Sequence, residues 1–119
     1  MLKADRDDAA KDAIYRMGVI GQFNLTFELA WKSVKEALEF HGVALTAPGS
    51  PREILKEGYA ADLVNDEEVW LDMLKKRNLA IHIYDEAEAD KLVSSIFEKY
   101  IAVFVKLRDV LAGIAAAEK

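Results

Sequence analysis

The hydrophobic residues of this chain fall into four runs with helical spacing. The longest run covers about residues 8–41, where apolar side chains recur every seven positions at Ala13, Ile20, Phe27 and Val34. Further apolar residues lie between them and widen the stripe: Met17, Phe23, Ala30, Trp31, Ala37 and Leu38. A stripe of this period and width is typical of a helix that contacts more than one neighbour in a bundle.

Glycines occur both inside this predicted first helix and directly after its end. Gly18 and Gly21 lie inside the run and weaken the prediction of an unbroken helix, because glycine is a poor helix former. Gly42 follows His41 and is a natural helix stop. We therefore expect the helix to extend from about Asp8 to His41.

The second helix is predicted from its start signal. Residues 43–50 form a predicted loop that ends in Ser50-Pro51-Arg52-Glu53. Serine at the cap, proline at the first helical position and glutamate at the third are the residues that favour a helix N-terminus. The helix that follows is short, and we expect it to end near Gly58.

Two further helix starts complete the pattern. Asn65-Asp66-Glu67-Glu68 and Asp85-Glu86-Ala87-Glu88 both place acidic side chains where the positive end of a helix dipole stabilises them. The final helix is predicted from about Glu86 to beyond Leu111, with an apolar stripe of Leu92, Val93, Ile96, Phe97, Tyr100, Phe104, Leu107 and Leu111. Because no strand-like alternation competes, we predict an all-α fold. It is a small antiparallel helical bundle of the four-helix up-and-down type, one domain over residues 1–119.

Composition and charge narrow the functional classes. The net charge is −5, so the chain is not a general nucleic-acid coat, which would be basic overall. It has no cysteine, and no run approaches the roughly 18 apolar residues of a membrane span. Charged residues follow Met1, so no secretory signal is predicted and we expect a cytoplasmic protein.

The third helix carries the candidate chemistry, because a cation falls on its apolar stripe. Trp70, Met73, Leu74, Ile81 and Tyr84 form that stripe at spacings of three and four. Arg77 lies on the same stripe, and an arginine in a buried seam costs several kcal/mol unless it is paired. We expect it to pair with Glu28 of the first helix.

A second line on the third helix consists of Leu74, Asn78, His82 and Asp85. Arg77 and His82 are five residues apart, so on an ideal helix they point about 140° away from each other. Two copies that face each other across a two-fold axis bring both groups into one cleft. We therefore expect a homodimer with the third helix at or near the interface.

Four ordered blocks of the chain resemble a known family. The blocks are Phe27-Glu28-Leu29-Ala30-Trp31-Lys32, Ser50-Pro51-Arg52-Glu53, Glu68-Val69-Trp70-Leu71-Asp72-Met73-Leu74 and Arg77-Asn78-Leu79-Ala80-Ile81-His82-Ile83-Tyr84-Asp85-Glu86. They are similar to the small HEPN proteins, which include nucleotidyltransferase substrate-binding subunits and HepT-type toxins. The resemblance covers about residues 13–110.

The resemblance implies a dimer that cleaves RNA without a metal or another cofactor. In it, Arg77 binds the phosphate, His82 is the general base or acid, and Asn78 orients the reacting groups. Residues expected to contact the substrate around them are Lys76, Asp85 and Glu28.

The resemblance also implies a partner and a modification. A cognate nucleotidyltransferase of antitoxin type adds AMP to a tyrosine at the place of Tyr84, which silences the nuclease. Family members usually carry one more amphipathic helix ahead of the long one. We therefore expect either a partner to cover the exposed seam of the first helix or a reduced bundle.

Other readings of the same residues stay open. The chain is alternatively a non-catalytic module that binds a nucleotide or substrate for the nucleotidyltransferase, or only a dimerisation subunit. His82 is alternatively a structural histidine near a helix end, and Tyr84 a core residue with a solvated hydroxyl. Lys75 and Lys76 are equally well explained as a solvated helix edge.

Overall fold

The computed structural model describes residues 2–42, 49–80 and 86–117, and every regular element in these ranges is helical. In chain order the elements are α1 (Leu2–Phe40), α2 (Pro51–Ala60), α3 (Glu67–Ala80), α4 (Glu86–Ser95), a π-helical turn (Ile96–Tyr100) and α5 (Ile101–Ala117). The all-α fold predicted from the sequence is confirmed. None of these helices is long and apolar enough to cross a lipid bilayer.

Helix α1 is one unbroken helix that begins earlier than the sequence pattern predicts, at Leu2 rather than near Asp8. Gly18 and Gly21 do not interrupt it, although glycine disfavours a helix interior. Its end agrees with the prediction. Gly42 adopts φ +75°, and its N–H donates to the carbonyl of Glu39 at 3.0 Å.

Helix α2 begins and ends about where the sequence predicts. The Oγ of Ser50 accepts a hydrogen bond from the N–H of Glu53 at 3.3 Å, and Pro51 is the first helical residue. The helix ends at Ala60, near Gly58 as expected, and Gly58 itself lies inside its last turn. A Cβ atom on Gly58 would lie 2.7 Å from Cγ1 of Val34 and 2.8 Å from Cγ2 of Val64. The glycine therefore permits close packing of α2 and does not end it.

The core lies where α1 and α3 meet the last helical run, which consists of α4, the π-helical turn and α5. Aromatic rings form the centre of the core. The ring of Phe23 stacks on Tyr100 with centroids 5.4 Å apart. Trp70 contacts Phe27 at 6.1 Å and Phe104 at 5.6 Å in centroid distance. These contacts join three helices that are separate in sequence.

Pairs of contacts set the directions of the helices. Arg16 of α1 contacts α4 at Glu86 and Asp90, whereas Phe23 contacts Tyr100, so α1 and the last helical run are parallel. Helix α3 runs the opposite way, because Asp66 contacts Lys106 and Asp72 contacts Tyr100. This arrangement places the C-terminal end of α3 and the start of α4 against α1, the first at Glu28 and the second at Arg16.

Among the described residues of the predicted apolar stripes, two large side chains are exposed. Phe97 is 55% exposed and Met17 is 74% exposed, whereas Val103, which was not predicted, is buried. The predicted stripe of the last helix is wider than the surface that α1 and α3 cover. Phe97 also lies in the π-helical turn, where the N–H of Ile101 donates to the carbonyl of Ile96 and the helical register changes.

Candidate functional site

Arg77 lies in the last turn of α3 and crosses to α1, where it forms an ion pair with Glu28. The ion pair joins Nη2 of Arg77 and Oε1 of Glu28, while Nη1 of Arg77 donates to Oδ1 of Asn78 at 3.1 Å. The pairing with Glu28 that the sequence predicts is therefore confirmed. The side chain of Arg77 is 31% exposed and that of Glu28 is 26% exposed, so the pair lies at the edge of the core and faces solvent.

Glu28 is held in place from its own helix. Its Oε2 accepts a hydrogen bond from Nε1 of Trp31 at 3.2 Å and lies 3.7 Å from Nζ of Lys32. With Arg77, these donors fix both carboxylate oxygens. A carboxylate fixed in this way orients the guanidinium that it binds.

Lys76 lies on another side of α3 from the Glu28–Arg77 pair. It lines a cleft of about 280 Å³ between α3 and α4, together with Leu79, Glu88, Lys91, Leu92 and Ser95. Successive residues of a helix point about 100° apart, which separates Lys76 from Arg77. The structure therefore brings together Arg77, Asn78 and Glu28 of the predicted site, and it places Lys76 beside Lys91.

The other predicted site residues, His82, Tyr84 and Asp85, lie outside the described residues. The described residues on both sides of residues 81–85, in α3 and in α4, form ion pairs with α1. Arg77 in the last turn of α3 is paired with Glu28, as given above. At the start of α4, Glu86 and Asp90 bind Nη2 and Nη1 of Arg16 at 2.6 and 3.2 Å.

Sequence reasoning missed two polar residues of α1 in this region. The side chain of Arg16 is only 13% exposed and joins α1 to α4. Asn24 precedes Glu28 by one turn, and its Oδ1 is buried without a hydrogen-bond partner in the described part of the chain. Both had a sequence signal: Arg16 is a cation among apolar residues, and Asn24 lies four residues before Glu28.

All described residues of the candidate site lie in a segment of the chain that matches a known protein family. A family model described as nucleotidyltransferase substrate binding protein like matches residues 2–113. The chain belongs to this family. The match includes α1, α2, α3 and α4, and so includes every described residue of the site. A comparison with curated proteins finds no match.

As a member of this substrate-binding-like family, the chain is grouped with the partners of nucleotidyltransferases. Its site offers a partly exposed guanidinium on Arg77, an amide on Asn78 and, in the neighbouring cleft, Lys76 and Lys91. These are groups that bind phosphate, the part that every nucleotide substrate has in common. In the described ranges, no group of three His, Asp or Glu side chains is arranged to hold a metal ion.

Proposed function

We propose that this chain is the HEPN-type partner subunit of a small nucleotidyltransferase, and that two copies form a metal-independent endoribonuclease through Arg77 and His82. The family match supports the class of partner. The observation that carries the chemical part is the fixed guanidinium of Arg77, held by Glu28 and Asn78 at a surface that solvent reaches. A residue held in this way meets a phosphate without further ordering.

The proposed reaction is an attack by the ribose 2′-hydroxyl on the adjacent phosphorus. The neutral imidazole of His82 takes the proton of the 2′-hydroxyl. Arg77 binds two non-bridging phosphate oxygens and stabilises the charge that develops on them. The bond to the 5′-oxygen breaks, and this oxygen takes a proton from the imidazolium. The products are a 2′,3′-cyclic phosphate and a 5′-hydroxyl.

The remaining site residues have supporting roles in the proposal. Asn78 orients Arg77 through its 3.1 Å hydrogen bond. Lys76 and Asp85 contact the RNA on either side of the scissile bond. Tyr84 is the residue to which the nucleotidyltransferase adds AMP. The modification silences the nuclease, because the phosphate of the added AMP lies beside Arg77 and occupies the place of the RNA phosphate.

A second candidate is a non-catalytic module that binds a nucleotide or substrate for the partner enzyme. One observation favours it. Both terminal nitrogens of Arg77 already have acceptors within the chain, Glu28 and Asn78. An arginine with its own acceptors has fewer N–H groups left to bind two oxygens of a reacting phosphate, which favours binding without catalysis.

The experiment compares RNA cleavage by the parent chain with cleavage by four variants in the presence of EDTA. We expect Arg77→Ala and His82→Ala each to lower the rate by about 10²- to 10⁴-fold, the range of a lost general base or charge stabiliser. Matched controls are His41→Ala, at the exposed end of α1, and Arg52→Ala, exposed on α2. Both controls should cleave as the parent does, and circular dichroism should show equal helix content in all five proteins.

Cleavage by Arg77→Ala and His82→Ala at the parent rate rejects the nuclease proposal. If the parent does not cleave RNA, calorimetric titration with a nucleoside triphosphate decides between the remaining readings. Binding that Arg77→Ala weakens and Arg52→Ala does not supports the non-catalytic module. Absence of binding leaves a dimerisation subunit.

A further inference from the structure

Two lysines from different helices line one cleft between α3 and α4. We call this space the lysine cleft, and its lining residues are Lys76, Leu79, Glu88, Lys91, Leu92 and Ser95. Its volume of about 280 Å³ is close to the lower end of the range for small-molecule sites, which begins at about 300 Å³. The lysine cleft therefore has room for one small ligand.

The charges of these two lysines are not neutralised by the described part of the chain. Lys106, by comparison, lies 3.4 Å from Oδ2 of Asp66. Neither Lys76 nor Lys91 forms an ion pair with a described residue, and this includes Glu88, which lines the same cleft. Two ammonium groups and one carboxylate leave an excess of positive charge here, in a chain whose net charge is −5. An anion in the cleft therefore relieves the repulsion between the lysines.

Both walls of the lysine cleft are fixed to the rest of the bundle. On α3, Asp72 accepts a hydrogen bond of 2.5 Å from the hydroxyl of the buried Tyr100. On α4, Glu86 and Asp90 bind the guanidinium of Arg16 from α1. The backbone positions from which the two lysines extend are therefore set before a ligand binds. Less order has to be gained on binding, which favours affinity.

We propose that the lysine cleft binds a small phosphate monoester with hydroxyl groups beside the phosphate, such as a sugar phosphate. The ammonium groups of Lys76, from α3, and Lys91, from α4, donate to the phosphate oxygens. The carboxylate of Glu88 accepts a hydrogen bond from a hydroxyl of the same ligand. Leu79 and Leu92 contact its carbon atoms.

The number of charges favours a monoester over other anions. At neutral pH a phosphate monoester has a charge of about −1.5 to −2, because its second pKa is about 6. It therefore matches two ammonium groups. A carboxylate, or a phosphate within an RNA backbone, brings a single charge and leaves the second lysine without a counter-ion. Lysine is also a common phosphate ligand, because its compact ammonium group acts as a point charge.

Glu88 favours a ligand with hydroxyl groups over a bare anion. A carboxylate beside an anion repels it, but an ionised carboxylate is also a strong hydrogen-bond acceptor for hydroxyl groups. In dinucleotide-binding folds an acidic side chain binds a ribose hydroxyl in this way. A ligand with hydroxyls near its phosphate uses all three charged groups of the lysine cleft, which inorganic phosphate does not.

This site goes beyond the proposed function. The products of the proposed RNA cleavage carry a cyclic phosphate and a 5′-hydroxyl, so the cleavage forms no phosphate monoester. Lys76 is also a proposed RNA contact, so a ligand in the lysine cleft competes with RNA for this side chain. That competition rests on the proposed function, whereas binding in the cleft does not.

The first test is a calorimetric titration with ribose 5-phosphate at low salt and about pH 7.5, where the ligand is a dianion. Lys76→Ala and Lys91→Ala should each raise the dissociation constant about tenfold or more, because each removes a hydrogen bond between charged groups. The matched control is Lys75→Ala, which removes the same charge from an exposed position of α3 that does not line the cleft. It should bind as the parent does, and circular dichroism should show equal helix content in all these proteins.

The second test uses Glu88→Gln to separate the two parts of the ligand. The parent should bind ribose 5-phosphate more tightly than inorganic phosphate. Glu88→Gln should bind inorganic phosphate more tightly than the parent does, because a repulsive charge is removed. Its preference for ribose 5-phosphate should decrease, because an amide oxygen is a weaker acceptor than a carboxylate.

A parallel titration with adenosine 5′-monophosphate, which contains the same ribose 5-phosphate group, identifies the source of the ligand. Binding at least as tight as that of ribose 5-phosphate assigns the cleft to a nucleotide. Weaker binding assigns it to a free sugar phosphate.

Four results overturn the proposal. The first is a parent that does not bind ribose 5-phosphate at about 10 mM, which is weaker than any specific site of this kind. The second is an equal loss for Lys75→Ala and Lys91→Ala, which indicates a general effect of charge. The third is a loss in Arg77→Ala without a loss in Lys91→Ala, which places the ligand at the Glu28–Arg77 pair. The fourth is a parent that prefers inorganic phosphate.

These titrations contain no RNA, so their outcome is independent of the nuclease assay. Binding that depends on Lys76 and Lys91 supports the lysine cleft even if the parent does not cleave RNA. Conversely, RNA cleavage that depends on Arg77 stands even if ribose 5-phosphate does not bind.

Discussion

At the scale of single residues, two arginines decide how α1 meets the helices around it. Both Arg16 and Arg77 fall among apolar positions, and each finds carboxylates on another helix. Removing one member of such a pair leaves the other charge poorly solvated, which costs more than the pair itself contributes. The sequence predicted the partner of Arg77, because a cation on an apolar stripe needs a carboxylate on a neighbouring helix. It did not predict the partners of Arg16.

Among the described residues, Tyr100 has a pKa that is clearly shifted from its ordinary value. Its side chain is fully buried, and its hydroxyl donates to Oδ2 of Asp72 at 2.5 Å. Burial raises the pKa of Tyr100 well above its ordinary range, and the hydrogen bond to Asp72 and the negative charge of Asp72 raise it further. The folded chain therefore keeps this proton at a pH where an unfolded chain loses it.

Tyr100→Phe tests this arrangement through stability. At neutral pH we expect the free energy of unfolding to fall by about 1–3 kcal/mol, because Asp72 loses its buried donor. The raised pKa stabilises the parent fully below the unfolded value of about 10, and this contribution is lost as the pH rises above it. The difference between parent and variant should therefore stay constant up to about pH 9 and shrink as the pH rises above 10 in urea unfolding.

The matched control is Tyr59→Phe, at a tyrosine that is 51% exposed on α2. It should change the free energy of unfolding little, because its hydroxyl is exposed. A constant difference between the parent and Tyr100→Phe over this pH range contradicts the account of Tyr100.

At the scale of helices, a glycine either ends a helix or permits close packing against a neighbour, and the sequence alone does not distinguish these two roles. Gly42 ends α1 with a positive φ, as predicted. Gly58, near which α2 was predicted to end, lies in the last turn of the helix against Val34 of α1 and Val64. Both positions look alike in the sequence, because a helix end and a close approach both favour a residue without a side chain.

Gly58→Ala should destabilise the chain although alanine is the better helix former. The added Cβ overlaps Val34 and Val64, which we expect to lower the free energy of unfolding by about 1–3 kcal/mol. Gly113→Ala is the matched control, since nothing lies within 4 Å of a Cβ there. It should raise stability by up to about 1 kcal/mol through helix propensity alone. Equal effects of the two changes in thermal unfolding contradict the close packing of α2.

At the scale of the whole molecule, the apolar groove between α1 and α5 is the main departure from a closed bundle. Phe97 was predicted to be buried because it continues the stripe of the last helix, yet it lines this groove. The proposed function requires two copies of the chain. Stability is then tied to protein concentration, because association favours the folded state by mass action.

The melting temperature of the parent should therefore rise with protein concentration. We expect an increase of several degrees between about 1 and 100 μM. Scanning calorimetry or circular dichroism at several concentrations measures this. A melting temperature of the parent that does not change over this range contradicts a dimer in which folding and association are coupled.

The sequence by itself determined the helices, most of their ends and the family. These features depend on residues close together in the chain, such as the Ser50 cap, the stop at Gly42 and the seven-residue repeat of α1. It also determined the pairing of Glu28 with Arg77, because a cation on an apolar stripe needs a carboxylate on the neighbouring helix.

The tertiary structure alone decided which faces meet. Arg16 binds Glu86 and Asp90, which lie 70 and 74 residues further along the chain. The exposure of Phe97 and the separation of Lys76 from Arg77 likewise follow from how the helices are placed around α1. Local periodicity shows that a helix has an apolar side, and only the packing of all the helices shows how much of that side is covered.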